Sequence, residues 1–306
     1  MYRKSLRKFL LSFLRISRAN IQVASLPHAL LGICLGISSF SFLFTLPVLI
    51  YIFLCFALIT FACNINCLYD LEVDKKYKKY LANAVEFLGR DKIKIILVLE
   101  SFLIFFLIFI LSEMSYRITA SIAVLGYILS IVYSAPPFRM KARGFLSPFP
   151  CIIGLYTLPL LGGWFLFNTT LPPYFLVFVI SYALMNEGIT LVNTCEDYSE
   201  DLKEGIKTWA HVFGLKNALR FAFVFTLAGM GCIISLFFKV LVEGNTFTLI
   251  LISLASFTIF QTARDIHKVS KARDLEKSAK KYAPNMPKWF MSTRYPLLIT
   301  ALSLLF

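Results

Sequence analysis

Two stretches of the chain place the same three side chains at the same spacing: "NCLYDLEVD" (66–74) carries Asn66, Asp70 and Asp74, and "NTCEDYSED" (193–201) carries Asn193, Asp197 and Asp201. On a helix, positions i, i+4 and i+8 fall within an arc of about 80° and cover about 12 Å along the axis, so each triplet presents one polar face. Four carboxylates gathered into a partly dehydrated cavity repel one another unless a cation neutralises them. Carboxylate oxygens and asparagine carbonyls suit Mg²⁺, which takes few protein ligands and completes its octahedron with water and substrate phosphate. Two such triplets fit a diphosphate bridging two carboxylate-bound ions. A lone aspartate closing an apolar run is ordinarily interfacial; the repetition argues against that for these four. Glu72, Glu196, Glu200 and Glu204 lie in the same neighbourhoods but off the repeated face, where a solvated role is expected, with Glu196 nearest the chemistry.

A diphosphate site needs basic groups as well. "YSAPPFRMKARG" (133–144) supplies Tyr133, Arg139, Lys141 and Arg143, and Pro136 and Pro137 stop the preceding helix so that these cations can turn back towards the triplets. Lys207, in "GIKT", follows Asp201 closely enough to fold over a phosphate. Each of these residues taken singly also reads as part of a positive loop at a membrane surface. Lys75, Lys76, Lys78 and Lys79 follow the first triplet, some of them only solvated.

The elements that must position these groups are membrane helices. With 58% hydrophobic residues, 31 phenylalanines and a mean hydropathy of +0.74, the chain is expected to be an all-α integral membrane protein rather than a soluble one. Nine apolar runs near 20–40, 44–66, 94–112, 116–135, 147–168, 172–196, 219–240, 244–263 and 290–306 are long enough to span about 30 Å of hydrocarbon. Nine spans put 29 of the 31 Lys and Arg residues on one side, leaving only Arg117 and Lys239 opposite. This places the amino terminus and both triplets in the cytoplasm and the carboxyl terminus outside. The net charge of +14 then reflects attraction to anionic lipid, with no need of nucleic acid as a partner. Residues 1–19 read as an amphipathic interfacial helix, with Leu6, Phe9, Leu10, Phe13 and Leu14 on one stripe, and 20–306 as one transmembrane domain. The seven cysteines lie in or beside apolar runs without metal-ligand spacing and are expected to be free thiols. Phe102, Phe105, Phe106 and Phe109 read as lipid-facing or packing residues.

"NCLYDLEVD", "YSAPPFRMKARG" and "DYSEDLKEGIKTWAHVFG", in this order, resemble the motifs of the UbiA superfamily of intramembrane prenyltransferases over roughly residues 20–300. The resemblance implies a nine-helix bundle with a central cavity and a cytosolic cap. It implies Mg²⁺, two ions, held by Asn66, Asp70 and Asp74 and by Asn193, Asp197 and Asp201, with Tyr133, Arg139, Lys141 and Lys207 gripping the diphosphate. The implied reaction transfers a prenyl group from a polyprenyl diphosphate, ionised to an allylic cation, to an aromatic or other lipophilic acceptor. A quinone precursor stands first and geranylgeranylglyceryl phosphate second. "KKYKKYLANAVEFLG" departs from the Arg-Pro stretch that follows the first motif in many quinone-forming members, which puts the acceptor in question. "ASLPHALLG" faintly resembles the first helix of menaquinone-type members, where His28 reads as a polar residue beside Pro27 more readily than as a base. The competing function is a transporter with a carboxylate ion site. Such a site would more often sit at mid-membrane on broken helices.

Overall fold

The computed structural model describes residues 2–243 and 246–306, and among these there is no β-strand, only an isolated bridge between Arg143 and Lys207. The chain runs through α1 (Tyr2–Ile16), α2 (Ala19–Gly36), α3 (Leu46–Tyr69), α4 (Leu71–Tyr77), α5 (Lys79–Leu88), α6 (Arg90–Glu113), α7 (Arg117–Ser134) and α8 (Leu158–Trp164). It continues through α9 (Pro173–Glu196), α10 (Tyr198–Lys203), α11 (Trp209–Phe213), α12 (Leu215–Ala228), α13 (Met230–Glu243), α14 (Thr246–Ser270), α15 (Leu275–Tyr282) and α16 (Met286–Ser303). Seven segments of the described chain are long and apolar enough to cross a membrane: α3, α6, α7, Gly144–Trp164, α9, Leu215–Leu241 and α14. The expected first span falls on α2, which joins the end of α1 at a 53° bend. The expected last span falls on α16, which carries Lys288, Arg294 and Tyr295 among its apolar residues. Arg294 is satisfied inside the bundle, where it donates to Asn186 Oδ1 at 2.6 Å and to the Ala24 carbonyl at 2.5 Å, while Lys288 is exposed.

The expected 147–168 helix is not uniform. A 3₁₀ turn, Gly144–Leu146, precedes it, and a π-helical stretch, Cys151–Thr157, leads into α8. Pro159 has no N–H to give to the preceding turn, and the backbone widens there. One large apolar core joins α2, α8, α9, α13, α14 and α16, and another joins α2, α3, α6 and α7. Helices approach closely where they carry small residues. A Cβ on Gly32 would lie 1.9 Å from the Leu160 carbonyl oxygen, and one on Gly188 would lie 2.5 Å from Thr226 N and 2.6 Å from Ala222 O. Gly188→Leu should therefore separate α9 from α12 and destabilise the protein by about 1–3 kcal/mol, read as a lower unfolding temperature in detergent.

The exposed Phe102, Phe105, Phe106 and Phe109 lie on the outer face of α6. All seven cysteines are free. His28 is buried, its Nδ1 2.8 Å from the Tyr182 hydroxyl, in the packed interior of α2 and α9.

Candidate active site

The two triplets share a backbone device as well as a spacing. α3 ends at Tyr69 and α9 at Glu196, and the next residue of each, Asp70 (φ −94°, ψ 3°) and Asp197 (φ −86°, ψ 9°), leaves helical geometry before a short second helix begins. The hydrogen-bond ladder continues across both breaks, with Asp74 N donating to Asp70 O and Asp201 N to Asp197 O, each at 2.8 Å. The members of each triplet thus keep to one side while the chain turns. Aspartate preceding a helix commonly caps it with its carboxylate. Neither Asp70 nor Asp197 makes that bond, which leaves both carboxylates available to the space between the two breaks.

That space is a cavity of about 370 Å³, and Asn66, Asp70, Asp74, Asn193, Asp197 and Asp201 all line it, together with Tyr133 and Lys141. Asp70 is paired with Arg139, whose Nη2 is 3.2 Å from Oδ1, and with Lys141 on Oδ2. Arg139 reaches it from a left-handed backbone (φ 40°), a conformation that costs a non-glycine residue about 1–2 kcal/mol. Asp197 is paired with Lys78 at 3.3 Å. Asp74 and Asp201 have no cation within ion-pair distance among the described residues, and Asp74 Oδ2 is buried without a partner. Burial, then the charge of Asp70, raises the Asp74 carboxyl above its usual range. Burial, then the charge of Asp197, pushes Asp201 up to about 7. Burial holds the Lys141 ammonium below the usual lysine range, against the opposing pull of Asp70.

Lys207 is not brought to the cavity. Its N–H bonds to the Ala142 carbonyl at 3.3 Å and its carbonyl accepts from Gly144 N at 2.7 Å, which ties the two loops together and leaves the lysine side chain exposed in a separate shallow groove beside Pro137 and Arg143. Arg143 likewise turns away, donating to the Phe138 and Pro137 carbonyls. Ile206 and Thr208 take the cavity wall on either side of Lys207. Two further cations line the cavity, Lys78 from the lysines that follow the first triplet and Arg18. Lys78 continues the four-residue series of Asn66, Asp70 and Asp74, a signal present in the sequence. Arg18 comes from the bend between α1 and α2, and its Nη2 donates to Asn66 Oδ1 at 3.3 Å. The glutamates stay outside: Glu72 pairs with Lys75 and Arg90, Glu200 with Lys280, and Glu204 with Lys76 at 2.8 Å, while Glu196 does not line the cavity.

Packing at this end of the bundle holds the loops in place. Ile16, Cys67, Leu71, Leu81, Val85 and Ile93 form a buried cluster under α4 and α5. The second triplet is braced by Trp209, whose indole donates to the Phe145 carbonyl at 2.7 Å, and by His211, stacked on Tyr198 at 4.4 Å. The Lys76–Glu204 and Lys78–Asp197 pairs then join the α4 and α10 sides across the mouth.

No three His, Cys, Asp or Glu side chains among the described residues form a ready-made metal cage. The donor set still fits Mg²⁺. That ion needs only one or two carboxylates with water and phosphate oxygens completing its shell, and the site holds an unpartnered carboxylate oxygen and two carboxylates raised by burial and by the neighbouring charges of Asp70 and Asp197.

Fold and site together define a helical membrane protein with an acidic, cation-rimmed cavity that continues into apolar walls. The sequence pattern of the UbiA prenyltransferase family matches residues 25–285, and the chain belongs to that family of intramembrane prenyltransferases. It is 33% identical over 97 residues to the chloroplastic chlorophyll synthase of Oryza sativa subsp. japonica, covering 32% of this chain and 26% of the rice protein, so the match spans about a quarter of that relative. It is 30% identical over 174 residues to the lycopene elongase/hydratase of Haloarcula japonica, covering 56% of each. Among solved structures, a UbiA homolog from Archaeoglobus fulgidus bound to GPP and Mg²⁺ matches with a TM-score of 0.73 at 17% identity, over 96% of this chain and 99% of that one. A digeranylgeranylglyceryl phosphate synthase matches with a TM-score of 0.68 at 17% identity, over the same shares. These likenesses lend the transporter alternative no support.

Proposed function

We propose that the protein is a Mg²⁺-dependent prenyltransferase that moves a prenyl group from a polyprenyl diphosphate to a lipophilic acceptor. The observation that carries this reading is the pair of matched triplets, broken at the same position, facing each other across the mouth of one cavity. Asp70, Asp74 and Asn66 would hold one ion, and Asp197, Asp201 and Asn193 the other. When bound, Mg²⁺ would supply Lewis-acid stabilisation of the charge that collects on the departing diphosphate. Lys141, Arg139, Lys78, Arg18 and the Tyr133 hydroxyl would place positive charge or hydrogen bonds around the same oxygens. The bond between the allylic carbon and the diphosphate oxygen breaks with its electron pair on oxygen, and the acceptor's nucleophilic atom bonds to the allylic carbon and sheds a proton. The apolar wall below keeps water from competing. Names such as chlorophyll synthase and lycopene elongase/hydratase support a lipophilic acceptor, alongside a quinone precursor and geranylgeranylglyceryl phosphate.

In the same reading the bundle has nine spans, with α2 and α16 as the first and last, and α1 lies in the interface. The amino terminus and the triplets face the cytoplasm, α4, α5, α10, α11 and α15 form the cap, and the carboxyl terminus is outside. The basic-residue asymmetry supports this arrangement.

The test is incubation of purified protein with Mg²⁺, labelled prenyl diphosphates and a panel of acceptors, with a chelator control. Mg²⁺-dependent diphosphate release and a prenylated product are expected. Absence of both, with substrate flux through reconstituted vesicles, would overturn the proposal.

Metal binding should also depend on pH. Asp201, raised to about 7 when folded against 3.8 for a free carboxyl, holds a proton between these values that the unfolded chain does not. Metal-free stability therefore falls as pH rises from about 4 to about 7, whereas Mg²⁺, which must displace that proton, binds more tightly over the same interval. Mg²⁺ affinity measured by calorimetry should be about tenfold weaker at pH 6 than at pH 8, and Asp201→Asn should flatten the dependence.

A further inference from the structure

Below its ring of charges the cavity ends at a matching depth on three neighbouring segments. Its wall on α3 reaches Tyr51, on α7 Ile122, and on α8 Pro159. Tyr51 is buried, and its hydroxyl donates to the Pro159 carbonyl at 2.7 Å, which fixes the phenol ring across the end. There is no room behind the ring, because a Cβ on Gly162 would lie 2.2 Å from that hydroxyl. Further out, Thr119 Oγ1 donates to Gly162 O at 3.0 Å, and Val48 and Leu166 are buried in packed core.

The depth of this tube can be read from two helices. Asn66 Nδ2 donates to Ser134 Oγ at 3.1 Å, so these residues mark one level at the base of the charged ring. At the helical rise, Tyr51 lies about 22 Å below Asn66 along α3, and Ile122 about 18 Å below Ser134 along α7. Three chain bonds between successive Cα atoms span 3.8 Å, so the four chain bonds of an extended isoprene unit span about 5 Å. The tube therefore holds about four units.

We propose that Tyr51 is the floor of a length gauge, and that it limits the donor to about four isoprene units, a C20 diphosphate. The proposal rests on the cavity being a prenyl diphosphate site and adds which donor it selects and which residue selects it. Gly126 offers a second point of control. It lines the tube about 12 Å below Ser134. A Cβ there would meet nothing closer than the Leu58 and Leu158 methyl carbons at 3.9 Å, so a larger side chain enters open space. A leucine at this depth leaves room for about two units.

The experiment compares C10, C15, C20, C25 and C30 diphosphates as donors with one acceptor, in wild type, Tyr51→Ala and Gly126→Leu. Wild-type turnover should fall at least about tenfold between C20 and C25. Tyr51→Ala should move that fall to longer donors, and Gly126→Leu should move it to between C10 and C15. If Tyr51→Ala does not fold, Gly126→Leu, which removes no packing, decides alone. A wild type that accepts C30 as well as C20 overturns the proposal, since the tail then leaves sideways into lipid; so does an identical length profile in Gly126→Leu. Any wild-type product establishes the transfer reading, and only the profile bears on the floor, so the two failures are distinguishable.

Discussion

Asp74→Asn and Asp201→Asn should each lower turnover at least about a hundredfold while leaving the metal-free protein as stable as wild type or more so. Asparagine keeps the shape and one carbonyl donor but removes the charge, and charge is what a Mg²⁺ shell in a partly dry cavity depends on. The stability expectation comes from a different observation. Neither carboxylate has a cation partner among the described residues, Asp74 Oδ2 is buried and unpaired, and the neighbouring Asp70 and Asp197 repel them. Neutralising such a group removes a desolvated, uncompensated charge. Asp70→Asn should behave differently: similar loss of turnover, but a less stable protein. It deprives Arg139 and Lys141 of their common partner, and the Lys141 side chain is only 11% exposed. Thermal unfolding without metal, set beside steady-state rates, separates the two kinds of aspartate. Turnover within tenfold of wild type in both Asp74→Asn and Asp201→Asn would end the two-metal assignment.

The chemistry of the site was largely legible because it is encoded locally. A four-residue repeat fixes one helical face whatever surrounds it, and the bend at Asp70 and Asp197 preserves that face because the i to i+4 bonds persist through it. The bend itself was not legible, since nothing in "LYDL" or "CEDY" departs from helical composition. Arg18 could not be found by spacing, because it reaches Asn66 from another part of the chain through the α1–α2 turn. Charge counting placed the same residue in the interfacial helix and no further. The main spans followed from hydropathy, but α16 carries Lys288, Arg294 and Tyr295 among its apolar residues, and its buried arginine is satisfied by Asn186 and Ala24 rather than by lipid or water. The widened turn at Cys151–Thr157 likewise depends on how Pro159 meets its neighbours.

Lys141 and Lys207 looked equivalent in sequence, each a lysine soon after a motif, and the structure makes them opposites. Lys141 lies in the cavity on Asp70, with its ammonium 5.9 Å from the Tyr133 ring centre; Lys207 is outside, its backbone occupied in joining two loops. A cation inside the cavity meets a leaving group whose negative charge grows as the allylic bond breaks, so its removal should slow the chemical step more than it weakens ground-state binding. Losing a charged hydrogen bond of that kind costs roughly 1.5–3 kcal/mol, or about 10- to 150-fold in rate. Lys141→Ala should therefore lower kcat by at least about tenfold with a smaller change in KM, whereas Lys207→Ala should change kcat by less than about threefold. Burial sharpens the contrast, since Lys141 is held below the usual lysine range and draws its charge from the anions around it. Replacing Asp70 with diphosphate as its neighbour keeps that charge in place, so Lys141→Arg, which retains charge but not size, should recover only part of the loss. Equal effects at Lys141 and Lys207 would mean that the loop carrying Lys207 closes over the cavity when substrate binds, and the mouth would then have to be redrawn around the Gly144–Lys207 connection.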